Sequence, residues 1–269
     1  MNPTRPFLKW AGNKYNCLNP ILKSLPKANR LIEPFAGSGA VFINTDYPNY
    51  LIAEENQDLI TLFQLLQNEG DSFITFCETY FSDDNNDSVQ YYHFREQFNQ
   101  CKEPRQRAAL FLYLNRHGYN GLCRYNKKGI FNVPFGSYIK PCFPKERMRY
   151  FYQKTQKTVF KQSDFRETFA EAKPGDLIYC DPPYVPLDQQ SNFSSYTSKE
   201  FGEPEQIALA ELAIASAKRG ITVIISNHDT EFTRKHYHGS EIKSFPVART
   251  ISRDSANRVP VQELLAIFR

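Results

Sequence analysis

Asp181-Pro182-Pro183-Tyr184 follows directly on the apolar run Leu177-Ile178-Tyr179-Cys180, and its residue types suit methyl transfer to an exocyclic amine held in a planar π-system. A carboxylate accepts a hydrogen bond from such an amine. Each proline fixes its own φ and lacks an N–H, so the turn is stiff and the Pro182 carbonyl is available to the same nitrogen. Tyr184 offers a ring on which a flat base can stack. The competing reading is a proline-rich surface turn that holds an Asp and a Tyr by accident.

Two upstream segments weaken that alternative. Glu33-Pro34-Phe35-Ala36-Gly37-Ser38-Gly39-Ala40 follows Leu31-Ile32 and precedes a helix expected from near Val41. A glycine pair after a strand lets the backbone turn tightly and approach a ligand that a Cβ would block. The full dinucleotide spacing is missing, which disfavours NAD. Tyr50-Leu51-Ile52-Ala53 reads as a second strand ending at Glu54, where an acid is placed to accept hydrogen bonds from a ribose diol. Together these pieces sketch a nucleoside-binding half-site. The other segment, Phe7-Leu8-Lys9-Trp10-Ala11-Gly12-Asn13-Lys14, holds the only tryptophan. An isolated early Trp is commonly a core anchor. Phe7 fits that role at least as well, which leaves Trp10, Lys9 and Lys14 for ligand or nucleic acid.

In this order, Phe-Leu-Lys-Trp-Ala-Gly-x-Lys, Glu-Pro-Phe-x-Gly-x-Gly and Asp-Pro-Pro-Tyr resemble the motifs of the Dam-type (D12 class) DNA adenine-N6 methyltransferases. The resemblance runs from Phe7 to about Phe268 and includes Leu114-Asn115-Arg116-His117-Gly118-Tyr119-Asn120-Gly121-Leu122-Cys123-Arg124-Tyr125-Asn126, similar to that family's recognition segment. It implies an α/β fold: a Rossmann-like S-adenosylmethionine-dependent methyltransferase sheet with an inserted, mostly helical target-recognition domain. It also implies methylation of N6 on an adenine flipped out of double-stranded GATC, because the target atom is out of reach inside a duplex. Asp181, Pro182, Pro183 and Tyr184 are then the catalytic residues. The cofactor, S-adenosylmethionine, would lie against Glu33, Phe35, Ala36, Gly37, Ser38 and Gly39. Glu54 would meet its ribose, Asp164 its adenine, Trp10 would pack near it, Lys14 would reach its carboxylate or the DNA, and Asp181 would border it.

Carried over in the same way, Tyr119 wedges into the base stack and Asn120 fills the space opposite the extruded base. Leu122 and Pro134 touch a thymine methyl, Arg124 binds a guanine edge bidentately, and Lys9 reads the first guanine with Tyr138 nearby. Arg95, Arg116, Asn126 and Asn132 are expected on phosphates, which position without specifying. Glu54 departs from the family's usual Asp. Ser137 and Ile139 stand where some relatives are basic, which implies fewer phosphate contacts and a weaker salt dependence.

Rival acceptors are cytosine N4, an RNA base or a protein glutamine, but such relatives often carry Ser or Asn in place of Asp181. A catalytically silent DNA-binding regulator is a further rival, against which the intact Asp181 and cofactor loop argue.

The elements that must carry these residues follow from pattern and composition. The chain of 269 residues suits one large α/β domain with an insertion. Its net charge is only +4, yet Lys102 to Arg149 holds eleven Lys/Arg against two acids. That basic stretch is interleaved with Tyr113, Tyr119, Tyr125, Phe131, Phe135, Tyr138 and Phe143, as expected of a surface facing bases as well as phosphates. Apolar spacing predicts helices over Asp58–Gln67, Arg105–Leu114 and Glu205–Arg219, the last stopped by Gly220. Strands are expected at Asp176–Cys180, Ile221–Ser226 and Val261–Phe268, and the chain opens as a short strand and helix. Residues 1–56 and 146–269 form the expected catalytic domain and 57–145 the target-recognition domain.

Asp83 to Asp87 reads as an exposed loop rather than a metal site. Ser226-Asn227-His228-Asp229 is equally a wall of the base pocket or a strand-end cap. Tyr196 and Phe201 belong to a polar loop that closes over base or DNA. Arg249, Arg253 and Arg258 suit phosphate or a solvated face. The six cysteines and five histidines, His236 and His238 in a loop among them, show no metal-ligand spacing. With reduced thiols, no signal peptide and no apolar run of eighteen, the expectation is a soluble, cytoplasmic protein with no membrane partner, acting as a monomer on GATC duplex.

Overall fold

The computed structural model describes residues 3–139, 141–185, 201–247 and 261–269. Seven strands form one sheet: β1 (Arg30–Glu33), β2 (Tyr50–Glu54), β3 (Thr158–Gln162), β4 (Asp176–Cys180), β5 (Thr222–His228), β6 (Glu241–Val247) and β7 (Val261–Phe268). Their order is β3-β2-β1-β4-β5-β7-β6. The first five run parallel, and β7 lies antiparallel between β5 and β6. This is the expected Rossmann-like α/β architecture. All five residues of β4 are buried, as a parallel strand covered on both faces must be. Asp176, the polar one, is held by Arg30 Nη2 at 2.6 Å. The connections diverge between β1 and β4, so the carboxyl ends of those two strands flank the crevice in which such sheets bind ligands.

The helices are α1 (Leu18–Ser24), α2 (Gln57–Glu69), α3 (Asp71–Glu78), α4 (Ser88–Gln100), α5 (Pro104–His117), α6 (Lys145–Lys154), α7 (Phe165–Ala170), α8 (Glu203–Ala217) and α9 (Glu231–His236). On one sheet face, Ile32, Ile178 and Ile225 pack with Phe165 and Phe169 of α7 and with Leu209 and Ala213 of α8. On the other, Leu31, Ile52 and Tyr179 join a core that continues through Phe63 of α2 to Leu110, Phe111 and Leu114 of α5. Asn56 caps α2 by accepting from Leu59 N–H, and Gln64 and Gln67 donate to the carbonyls of Phe160, Thr155 and Thr158 beside β3. The opening of the segment 57–145 therefore lies on the sheet itself, and the helical layer shares one continuous core with it.

Three local expectations need correction. No strand opens the chain: residues 3–13 are irregular, although Phe7 and Leu8 are buried, and a 3₁₀ turn at Lys14–Cys17 leads into α1. The helix expected from Val41 is one 3₁₀ turn, Phe42–Asn44. Asn44 Nδ2 turns back on the Ala40 and Thr4 carbonyls there, side-chain competition that ends a helix early. His236, expected in a loop, closes α9. No helix among the described residues is long and apolar enough to cross a membrane.

Candidate active site

The turn after β4 is fixed by neighbours at Asp181, Pro183 and Tyr184. Lys14 Nζ lies 2.6 Å from Asp181 Oδ1 and 4.4 Å from the centre of the Tyr184 ring, and also donates to the Gly12 carbonyl at 2.8 Å. Ser226 Oγ donates to the same Asp181 oxygen at 3.1 Å. The Tyr184 hydroxyl donates to Glu263 Oε2 at 3.0 Å, and the His228 ring meets Tyr184 edge-on at 4.8 Å. Gln206 Nε2 donates to the Pro183 carbonyl and Val185 N–H to Asn227 Oδ1, which pins the exit of the turn. No hydrogen bond to the Pro182 carbonyl occurs among the described residues.

Burial raises the Asp181 carboxyl above its usual range, and the Lys14 ammonium pulls it back. Burial likewise raises Glu263, again opposed by Lys14, and Glu33 across the crevice is pushed up by burial first and then by Asp181. Two carboxyls, Asp181 and Glu263, thus share a lysine whose side chain is only 7% exposed, and Glu33 faces Asp181. Lys14, expected to reach ligand or DNA, pairs here with Asp181.

The loop after β1 is held open by its backbone. Ala36 N–H donates to the Ala53 carbonyl and Gly37 N–H to Glu54 Oε2 at 3.2 Å. Gly37 has φ 48°, and a Cβ there would stand 2.9 Å from the Trp10 indole, so Trp10 covers this loop. Phe35 stacks on Phe165 and meets Phe201 edge-on. Glu54 is also pushed up by burial, against the pull of the Gly37 and Asn56 N–H groups. Glu33 Oε1 and Ser38 Oγ are buried without a hydrogen-bond partner, a costly state that a polar ligand group would relieve. Asp164 caps α7 through Arg166 N–H, so its side chain already has a structural task.

Glu33 carries a pH-dependent prediction. The folded chain keeps its proton after the unfolded chain has lost it, so folding is penalised progressively as pH rises past the ordinary value of 4.5. Glu33→Gln keeps the shape and removes that penalty. Its melting temperature should exceed that of the parent at pH 8 and approach it at pH 4, with about 2–4 °C for each kcal/mol relieved. Equal differences at both pH values would mean that the carboxyl is already ionised in the fold.

The basic, aromatic segment lies beside this crevice. Tyr119 is 51% exposed, and Asn120 beside it adopts φ 52°, a left-handed conformation that Asn tolerates. Tyr119 N–H is held by the Pro134 carbonyl and Asn120 N–H by the Tyr138 hydroxyl. Lys9 Nζ sits 3.7 Å from the centre of the Tyr138 ring and donates to the Arg116 carbonyl, and burial, with the Arg116 charge, lowers it to about 8. Gly121 is required there, because a Cβ would come within 2.2 Å of Lys9 Cβ. Arg124 donates from Nε to Asn132 Oδ1 at 2.7 Å and from Nη2 to the Asn132 carbonyl at 3.2 Å.

Several expected phosphate ligands have other partners here. Asn126 Oδ1 accepts from Lys128 and Ile130 N–H and closes a turn, and Asn132 holds Arg124. Arg95 donates to the Val133 carbonyl and Arg116 to that of Cys142, with Arg116 Nε buried and unpartnered. Leu122 is half-buried and Pro134 exposed. Ser137 has φ 53°, and Ile139 is 99% exposed. Tyr196, Arg249, Arg253 and Arg258 lie outside the described residues.

Sequence reasoning missed three partners. Lys14 and Ser226 both hold Asp181, and Asn115 clamps the Lys9 backbone from both sides, accepting from its N–H and donating to its carbonyl. Ser226 belongs to the strand-end segment expected as a pocket wall or a cap, and its bond to Asp181 places it at the pocket. All six cysteines are free, and no cluster of His, Cys, Asp or Glu among the described residues is arranged to hold a metal.

Comparison with known proteins adds an independent view of the chain. A family model described as D12 class N6 adenine-specific DNA methyltransferase matches residues 10–251. The DNA adenine methylase of Vibrio cholerae serotype O1 is 49% identical over 269 residues, covering 100% of this chain and 97% of that one. The DNA adenine methylase of Haemophilus influenzae is 50% identical over 267 residues, 98% of this chain and 93% of that one. That of Escherichia coli K12 is 44% identical over 269 residues, 100% of this chain and 97% of that one.

Proposed function

Because the chain belongs to the D12 class of N6 adenine-specific DNA methyltransferases, we propose that it uses S-adenosylmethionine to methylate a flipped-out adenine in double-stranded GATC. Adenine-N6 methylation of DNA follows from the family; the cofactor, the four-base target and the extrusion are our reading. The observation that carries it is the placement of Asp181 and Tyr184 at the carboxyl end of β4, across the crevice from the Glu33–Gly39 loop.

The loop fits the cofactor. Glu33 Oε1 and Ser38 Oγ are buried polar atoms in want of a partner, Gly37 exposes backbone beneath Trp10, and Glu54 ends the neighbouring strand. Glu33, Phe35, Ala36, Gly37, Ser38, Gly39 and Glu54 would hold the cofactor, with Trp10 as its cover and Asp164 at its edge. When bound, S-adenosylmethionine supplies an electrophilic methyl on a sulfonium.

The chain's own residues would do the rest. Extrusion of the base costs a few kcal/mol, which stacking against Tyr184 offsets by roughly 1–3 kcal/mol. Asp181 and the Pro182 carbonyl accept the two N6–H groups, raise the electron density on nitrogen and turn its lone pair toward the methyl. Lys14 and Ser226 hold Asp181 in place and oppose the upward push of burial on its carboxyl. No covalent enzyme intermediate is needed. The segment from Arg116 to Tyr138, with Lys9, would read the duplex: Tyr119 as the wedge, Asn120 in the vacated stack, and Arg124 on a guanine edge. A monomer that methylates the two strands in turn satisfies the palindrome.

The test is tritiated methyl transfer to duplexes carrying one GATC, GTTC or GATG. Label on GATC alone is the expected result. Equal label on GATC and GATG would remove the four-base reading, and no label on any duplex by a cofactor-bound enzyme would remove DNA as the acceptor.

A further inference from the structure

The loop between α3 and α4 carries a run of acids, yet its last turn reaches the basic, aromatic segment. Asn86 Nδ2 donates to the Tyr138 carbonyl at 3.1 Å and to the Ile139 carbonyl at 2.9 Å. Among the described residues no other hydrogen bond reaches either carbonyl. Asn86 Oδ1 is buried without a partner. Turning the amide over would set that oxygen against both carbonyls, so the carbonyl pair fixes its orientation.

The loop is a firm base for these two bonds. Asn86 N–H donates to the Asp83 carbonyl at 3.1 Å, and Asp87 caps α4 by accepting from Gln90 N–H at 2.9 Å. Asn85 Nδ2 donates to the Tyr80 carbonyl at 3.1 Å, while the Tyr113 hydroxyl of α5 donates to the Asn85 carbonyl at 2.5 Å. The segment being held is less secure. Ser137 and Ile139 are both exposed, and Ser137 has φ 53°, a conformation that persists only where the surroundings impose it.

Tyr138 between them aims a lysine. Its ring lies 3.7 Å from Lys9 Nζ, and its hydroxyl, accepting from Asn120 N–H at 2.9 Å, locks the far end of that ring. Asn115 fixes the Lys9 backbone, so the direction of the ammonium is left to the Arg116 carbonyl and the Tyr138 ring. We propose that Asn86 is a positioning residue for sequence reading: it holds Tyr138 where the ring aims Lys9 at the first guanine. This rests on the reading that Lys9 meets that guanine, and it gives the loop between α3 and α4 a part in specificity.

The experiment is tritiated methyl transfer by the full chain to hemimethylated duplexes, in which one strand alone accepts. One carries GATC, one is altered at the first base pair and one at the fourth. Asn86→Ala should lower discrimination at the first pair, read as the ratio of kcat/KM to that on GATC, by about five-fold, the low end of what one base reader supplies. Discrimination at the fourth pair should stay at the parental value. Asn86→Asp has the same shape but loses both donors and turns a carboxylate on the two carbonyls, so it should lose at least as much. A merely structural loss lowers all three rates alike and moves neither ratio. Unchanged first-pair discrimination in both variants, or an equal loss at both pairs, would overturn the role of Asn86. Lys9→Ala tells this from the reading beneath it: full first-pair discrimination in that variant would strike Lys9 itself as the reader.

Discussion

Asp181→Ala should lower methyl transfer to GATC duplex by about 10³-fold or more, while duplex binding changes little. In the proposed mechanism the variant loses the acceptor that polarises and aims the amine, an interaction worth most when positive charge develops on nitrogen. It therefore falls on kcat rather than on KM. The variant has a structural cost as well. Asp181 is the ion-pair partner of Lys14, whose side chain is 7% exposed, and removing one member of a buried pair typically costs about 3–5 kcal/mol. Melting curves must therefore accompany the kinetics. Asp181→Asn separates the two effects: it preserves shape and an accepting oxygen but removes the charge, and should lose about 10²-fold. Lys14→Met combined with Asp181→Ala takes away the stranded ammonium, restoring stability without restoring turnover. Near-parental turnover by a folded Asp181→Ala protein would take the carboxylate out of the chemistry.

The reason this site could be read from residue order is that its parts are short and local. Asp181-Pro182-Pro183-Tyr184 and Glu33–Gly39 each lie at the end of a buried parallel strand, and such strands are continuous apolar runs. Asp176–Cys180 is found at its expected bounds for that reason, and Val261–Phe268, although antiparallel, is found at its own because Leu264 to Phe268 is an unbroken buried apolar run. The edge strands were not legible. β3 reads Thr-Val-Phe-Lys-Gln, with only two apolar residues in a row, and β6 reads Glu-Ile-Lys-Ser-Phe-Pro-Val, with a proline that only an edge tolerates. The partners of the site were illegible for another reason. Lys14 and Asp181 are 167 residues apart in sequence and meet only because the irregular opening of the chain is laid across the end of β4. Asn126 and Asn132 show a further limit: residue type marks them as polar contacts, but only the structure shows that their Oδ1 atoms serve a local turn and Arg124, which leaves the Nδ2 donors to meet a phosphate.

Arg124→Ala should cost about 1–3 kcal/mol of discrimination at one base position of GATC, roughly 5- to 150-fold in the ratio of kcat/KM between matched and altered duplexes. Asn132 takes Nε through its side-chain oxygen and Nη2 through its carbonyl, which fixes the guanidinium plane without neutralising its charge. A planar fork held by a neutral partner is poised for the two acceptors on a guanine edge, whereas a phosphate contact needs no fixed plane. Asn132→Ala should consequently weaken discrimination at the same position, by less than Arg124→Ala, because the charge remains and only its orientation is lost. Their double variant should be little worse than Arg124→Ala alone, since Asn132 acts through the arginine. Affinity measured against salt provides the decisive contrast. A base reader loses selectivity at one position with little change in salt slope, while a phosphate contact loses affinity uniformly and lowers the slope by about one. A uniform loss in Arg124→Ala would move this arginine from reading the sequence to gripping the backbone, and the recognition segment would then owe its specificity to Lys9, Leu122 and Pro134.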